Sequence, residues 1–213
     1  GRLGDVEITP SWVRVTRLTY DEAEALLDGD GPLATLYRRG QAYAARRRAD
    51  GALSIDFPEV LVCVDAEGKV DIAPIVELRS RDLVQQAMIA AGEGAARFAQ
   101  EHAIPLPYST NEGPSEPIGH PTTLSAMFAA RRLLKRSQYR GAPGPHAGLG
   151  LPAYSQVTSP LRRYLDLVAH QQLRAFLRGA PLLDDAHILE RVGAVEAMIG
   201  SLRQVELQSE KHW

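Results

Sequence analysis

Cysteine is nearly missing from this sequence: Cys63 stands alone among 213 residues. One thiol excludes an internal disulfide framework and any multi-cysteine zinc site, a usage that points to the cytosol. Its place in the apolar run "VLVCV" predicts a buried structural thiol rather than a nucleophile. No apolar run is long enough to span a bilayer, and no basic start followed by an apolar core marks a signal peptide, so no membrane partner is expected. A basic excess is missing too. Lysine plus arginine number 24 against 26 acidic residues, a net charge of −2, so no global positive field advertises nucleic acid. Internal repeats, low-complexity tracts and the GxGxxG spacing of a dinucleotide site are likewise missing. Asp28, Asp30 and the pair Asp184–Asp185 fall in loops and read as turn or cap residues. No carboxylate cluster tight enough for paired Mg²⁺ is therefore visible.

What is present suffices for a real core, since 45% of residues are hydrophobic and 23% charged, as in ordinary globular proteins. The chain opens on Gly1, directly in strand-like sequence, so a piece of a longer protein is expected. Val6, Ile8, Val13 and Val15 predict strands. Thr19 with Glu22 signals a capping box and a short helix over 20–27. Leu33, Leu36, Tyr37 and Ala44 mark a second helix ending in "RRRADG". Strands are expected near 52–57, 60–65 and 69–76, with "AEG" as a hairpin turn. Ser80 should cap a long helix to 102, whose apolar face is Val84, Ala87, Met88, Ala91, Ala95 and Phe98. A proline-rich surface loop, a helix over 122–135 and a glycine-dense lining segment follow. Two helices close the chain, over 160–178 and from 184 onward, the last with Ile188, Val192, Val195, Ile199, Leu202 and Val205 inward. The order predicts an α+β fold in which a small mixed or antiparallel sheet packs with several long helices.

Positive charge is unevenly spread, at 38–39, 46–48, 131–132 with Lys135–Arg136, and 162–163, so a local basic channel is possible. The 46–48 run reads more readily as a solvated helix face than as a binding site. "TSPLRRYLDLVAH", from 158 to 170, asks more of the chain. Ser159 reads as an N-cap and Pro160 as the first helical residue. Arg162 and Arg163 would then share a helix end with free N–H groups, where an anion is favoured. Leu161, Tyr164, Leu165 and Val168 form the expected buried stripe. The alternative is a surface helix whose arginines pair with Asp166 or another carboxylate.

The run "GPHAGLGLPAYSQVTSPLRRYLDLVAHQQL", over 144–173, closely resembles the signature of the ribonuclease II / ribonuclease R family of RNB-domain exoribonucleases. "LTYDEAEALLDGD", "RGALSIDFPEV", "AMIAAGEGAARF" and "VELQSEKHW" extend the resemblance. It implies Mg²⁺-dependent, processive 3′→5′ degradation of single-stranded RNA to nucleoside 5′-monophosphates. By the same resemblance Arg162 contacts the scissile phosphate, and Arg163, Thr158 and Ser159 belong to the phosphate-contacting turn. His146 and Tyr154 match the glycine-rich lining, and Glu206 the glutamate that contacts the 3′-terminal nucleotide. Tyr154 reads also as core, and Glu206 as a solvated helix residue.

Departures from the family pattern accompany the matches. Gln85–Gln86 replace a glutamate pair, leaving Gln85 as an uncharged contact to the terminal nucleotide. Ile55 lies near where some members carry a stacking aromatic. Asn111, Gln156 and Gln171 each replace a common family residue, the last beside His170. The family's four aspartates lie upstream of the matched region. Residues 1–213 therefore resemble the C-terminal part of an RNB-type catalytic domain, with the Mg²⁺ ligands and flanking RNA-binding barrels expected in the N-terminal remainder of the same protein. An inactive homologue that binds RNA 3′ ends is the alternative.

Overall fold

The computed structural model describes residues 1–53, 55, 60–65, 67–116, 118 and 121–210. Thr19 accepts the N–H of Glu22 on its hydroxyl while the Glu22 carboxylate accepts the Thr19 N–H at 2.7 Å, and this reciprocal cap starts α1, Tyr20–Glu24. Helix α2, Pro32–Ala49, opens on a proline, where the missing N–H costs nothing. The hairpin β1, Val60–Val64, and β2, Val70–Pro74, pairs antiparallel around Gly68, whose φ of +79° needs a residue without a Cβ. Its described side chains are exposed on both faces, Cys63 included, so the expected buried thiol is a surface thiol. An alternating apolar run specifies a strand but not what covers it.

Helix α3, Arg79–Glu101, is the central element. Ser80 does not cap it. Leu78 is the cap residue, and Glu24 from α1 accepts the Ser80 N–H at 2.8 Å while the Ser80 hydroxyl donates to the Tyr20 carbonyl at 2.8 Å. Arg79 grips Glu24 and Asp28, and its guanidinium holds both carboxyls below their ordinary range. The buried face runs through Leu83, Gln86, Ile89, the stretch 92–96, Phe98 and Ala99, whereas Val84, Ala87 and Ala91 are exposed. The expected stripe is thus displaced because two polar residues, Gln86 and Glu93, face inward and are satisfied by α2.

After α3 the segment 104–110 is buried, not a surface loop, and carries β3, Tyr108–Thr110. It pairs antiparallel with β4, Gln138–Arg140, on the far side of α4, Leu124–Leu133. A 3₁₀ turn at Ala147–Leu149 precedes α5, Tyr164–Leu177, and α6, Asp185–Glu210. The architecture is α+β, with two small antiparallel sheets among helices. One apolar cluster joins α3 (Ala96, Phe98, Ala99) to α5 (Ala169, Leu173) through Ile104, Leu106 and Tyr108. A second joins Tyr43, Ile89, Leu151 and Tyr154, and a third joins Leu165 and Val168 of α5 to Ile188 and Val192 of α6.

Three further expectations do not survive. The first 19 residues form no strand; they run as an arm whose Val6 and Ile8 pack on the first cluster. Of the expected strand over 52–57, residues 54, 56 and 57 lie outside the described residues, and 52, 53 and 55 are not in a strand. On α6 only Ile188 and Val192 are buried, and Ile199, Leu202 and Val205 are exposed.

Gly92 carries a packing constraint. A Cβ there would lie 2.1 Å from Tyr154 Cε2 and 2.8 Å from the Ser155 carbonyl oxygen. Helix propensity alone would make Gly92→Ala stabilising by about 1 kcal/mol. Overpacking against ring and backbone should reverse the sign and cost about 1–3 kcal/mol. A urea-midpoint comparison decides, and a rise in midpoint would show that the Tyr154 seat is loose.

Candidate functional site

Thr158, Ser159, Arg162 and Arg163 come together in one turn ahead of α5. The N–H groups of Arg162 and Arg163 both donate to the Ser159 carbonyl, at 3.2 and 3.0 Å. The helix begins only at Tyr164, with Arg163 as its extended cap residue (φ −121°, ψ 114°). Ser159 and Pro160 therefore do not open the helix. The cause is Asp166, whose side chain has no exposed surface. Its Oδ2 accepts the Ser159 N–H at 2.8 Å and Arg163 Nη2 at 2.6 Å. An unpaired carboxylate in such a place would be expensive, so donors are drawn onto it and the chain folds back over the helix start.

The two arginines then part company. Arg163 is half-buried, spent on Asp166 and on the Thr158 hydroxyl at 3.2 Å. Arg162 is exposed, with no hydrogen-bond or ion-pair partner for its side chain among the described residues. Leu161 and Tyr164, expected to be buried, are exposed as well, and the Tyr164 hydroxyl accepts a bond from Arg191 of α6.

His146 and Tyr154 meet in the glycine-rich lining, their rings 5.7 Å apart and nearly perpendicular. His146 Nε2 lies 3.2 Å from the Ser137 hydroxyl, and burial pushes its pKa below the ordinary value. Tyr154 is buried and its hydroxyl is pushed up by burial, with the Arg163 charge pulling the other way. Tyr154 belongs to the second apolar cluster, which is the core reading of this residue. Asn111 holds the lining in place: its Oδ1 accepts the Gly148 N–H at 2.9 Å and its Nδ2 donates to the Lys135 carbonyl at 2.6 Å. Gln156 accepts the Tyr139 hydroxyl at 2.6 Å, and His170 Nε2 lies 2.7 Å from the Val157 carbonyl oxygen.

Gln85 and Glu206 are exposed, and no hydrogen bond among the described residues ties either to the Arg162 turn. The inward glutamine is Gln86, which donates to Asp82 at 2.8 Å and accepts from Arg47. Arg47 also donates to the Leu149 carbonyl at 3.0 Å, anchoring the lining to α2. Beside it Glu93 accepts the Tyr43 hydroxyl at 2.6 Å and Arg46 at 2.9 Å. The 46–48 run is thus partly internal, contrary to a solvated face. Glu93 is a positioning residue that sequence reasoning missed, and Asp166 is one it named only as an alternative ion-pair partner. The available signal was a lone acid in an apolar or glycine–alanine setting, "LDLVA" and "AAGEGAA", opposite an arginine pair or run.

Among the described residues no group of three or more His, Cys, Asp or Glu could hold a metal ion. The donors present do not fit Mg²⁺, and the chemistry of these residues is that of a positioned cation beside an aromatic and imidazole lining.

Comparison with known proteins agrees with the turn's sequence. The RNB domain family matches residues 1–118 and 120–179. This chain belongs to that family. It is 38% identical over 224 residues to an uncharacterized ribonuclease of Synechocystis, covering 100% of this chain and 34% of the relative. An active-site mutant of the Dss1 exoribonuclease of Candida glabrata shares the fold with a TM-score of 0.71 and 26% identity, covering 83% of this chain and 26% of that one. Yeast Ssd1, described as a pseudonuclease, shares it with a TM-score of 0.60 and 17% identity, covering 82% of this chain and 27% of that one. The chain thus spans about a third of the relative's length and about a quarter of each structure's. No described helix of this RNB chain is long and apolar enough to cross a membrane.

The lowered His146 pKa has a sign that can be checked. The unfolded chain takes up this proton first as pH falls through about 6.5, so the residue's contribution is full near neutrality and is lost below it. Stability measured between about pH 7 and 5 should fall less steeply in His146→Gln than in the parent. Parallel slopes would show that this imidazole is not the group responsible.

Proposed function

We propose that the protein containing this chain is an Mg²⁺-dependent, processive 3′→5′ exoribonuclease of the cytosol, hydrolysing single-stranded RNA to nucleoside 5′-monophosphates. Residues 1–213 supply the C-terminal part of its RNB-type catalytic domain, and the N-terminal remainder supplies the Mg²⁺ ligands. The observation that carries this reading is the division of the arginine pair: Arg163 is consumed by Asp166, and Arg162 is left exposed on a turn that this bond fixes. A guanidinium fork on a fixed turn meets charge developing on a phosphate without reorganising. Arg162 is then the catalytic residue of this chain, Thr158, Ser159 and Arg163 shape its turn, and His146 and Tyr154 line the approach. Gln85 and Glu206 are exposed polar groups suited to the 3′-terminal nucleotide. The exposed valines of β1–β2 and the apolar residues of the second half of α6 suit burial against the remainder of such a domain.

A second reading, an RNA 3′-end binder that does not cut, is favoured by the fold shared with a pseudonuclease and by the uncharged Gln85–Gln86 pair. The two are separated by incubating the full natural protein with 5′-labelled single-stranded RNA and Mg²⁺. The enzyme reading expects intact RNA to collapse to a short limit product. Arg162→Ala should slow this by about 10²–10³, and Arg162→Lys should recover part, keeping the charge without the fork. RNA that is bound but never shortened would sink the enzyme reading and establish the binder.

A further inference from the structure

Asp166 fixes the turn that bears Arg162, and the residues leading into that turn are fixed as well, each by a different element. The Tyr154 carbonyl accepts the Ser109 N–H of β3 at 2.9 Å. The Ser155 hydroxyl donates to the Pro107 carbonyl at 2.9 Å, and the Ser155 N–H to the Gly92 carbonyl of α3 at 3.3 Å. Gln156 accepts the hydroxyl of Tyr139 on β4 at 2.6 Å, and the Val157 carbonyl oxygen lies 2.7 Å from His170 Nε2 of α5. Ser109 and Tyr139 are cross-strand partners, so one rung of the β3–β4 pair grips residues 154 and 156 together.

Tyr139 is anchored at its other end. Its ring packs on the third apolar cluster, with Leu165 and Val168 of α5 and Ile188 and Val192 of α6, so its hydroxyl is carried to Gln156 on a seated ring. Burial pushes that hydroxyl's pKa up, with the Arg163 charge pulling it down and the Asp166 charge adding to the rise. The phenol therefore keeps the proton it donates, and it stands within electrostatic reach of the pair that shapes the turn. We propose that Tyr139 is a positioning residue for Arg162, its bond to Gln156 fixing the approach to the turn; the inference rests on the exoribonuclease reading. Arg162 has no side-chain partner among the described residues, so the backbone of its turn alone sets where the guanidinium stands. The Asp166 bonds hold that backbone at Ser159 and through Arg163, and Gln156 holds it from the upstream side. Charge stabilisation depends on such placement, since a misplacement of about 1 Å can cost about 10² in rate.

The test uses the full natural protein, with single-turnover cleavage of 5′-labelled single-stranded RNA in Mg²⁺ and affinity for the same RNA measured separately in EDTA. Tyr139→Phe keeps the ring in its cluster and removes only the hydroxyl. It should slow cleavage about tenfold, the worth of one hydrogen bond, and leave RNA affinity within about twofold. Gln156→Leu should lose as much, and the double variant no more than either alone. In an Arg162→Ala background Tyr139→Phe should cost nothing further, because no guanidinium is left to place. RNA left intact by the wild-type protein overturns the enzyme reading and this proposal with it. Cleavage slowed by Arg162→Ala but not by Tyr139→Phe leaves that reading standing and overturns the role of Tyr139. A loss that persists in the Arg162→Ala background, or that is matched by an equal loss of affinity, shows a general structural role and overturns it too. Should Gln156→Leu fail to fold, Tyr139→Phe with and without Arg162→Ala decides alone.

Discussion

A carboxylate with no exposed surface dictates the turn that precedes α5. Asp166 sits one turn into α5, between Leu165 and the contacts of Val168 with α6, so the apolar packing of α5 puts its charge out of reach of water. Donors must come to it. They come from the segment just upstream, the Ser159 N–H and the Arg163 guanidinium, and satisfying them bends 158–163 into a turn instead of a helix. The chain of cause runs from core to surface: α6 seats α5, α5 buries Asp166, Asp166 folds the turn, and the turn leaves Arg162 facing solvent. A helix continued back to Pro160 would have placed both arginines among free N–H groups, where cations are disfavoured.

A second buried polar network does the same service for the lining. Arg46, Arg47 and Tyr43 of α2 reach Glu93 and Gln86 of α3, and Arg47 goes on to the Leu149 carbonyl. Most of the polar groups in this network are satisfied, though Arg46 Nε and Arg47 Nε are buried without a hydrogen-bond partner among the described residues. Here they tie α2, α3 and the glycine-rich segment into one unit, against which Tyr154 seats on Gly92. Gln86 fits this arrangement as a neutral acceptor for Arg47 and a donor to Asp82, so an uncharged residue at this point of α3 has a structural use independent of any nucleotide.

Local chemistry was legible in the sequence where the cause is local. The Thr19–Glu22 box, the second helix through Leu33, Leu36, Tyr37 and Ala44, the hairpin at Gly68 and the α+β class all follow from short-range rules, and the family follows from the signature around 144–173. What failed was set by distant partners. Ser80 lost its capping role to Glu24, 56 residues away. The α3 stripe shifted because α2 supplies donors to two inward polar side chains. Cys63 and the second half of α6 carry apolar patterns whose periodicity names a face but not a neighbour. At the site, pairing of the arginines with Asp166 was legible as an alternative, but that only one of them would be consumed depended on burial that no sequence window displays.

That selective consumption explains how a chain of net charge −2 offers cationic surface at all. Its carboxylates are not spread evenly against its arginines. Glu24 and Asp28 are held by Arg79, Glu93 by Arg46 and Asp166 by Arg163, all in contacts that join separate elements or fix a turn. Acids engaged in this way are neutralised at the places where the fold needs them, and so are the arginines that hold them. The arginines left over, Arg162 on its turn, Arg132 of α4, Arg136 just beyond it and Arg203 of α6, have no ion-pair partner among the described residues. Net charge counts both populations together, whereas a phosphate backbone meets only the second, and at ordinary salt it feels charges within roughly 10 Å. For such a ligand the sum over the chain is the wrong quantity, and the placement of the unpaired guanidinium groups is the right one.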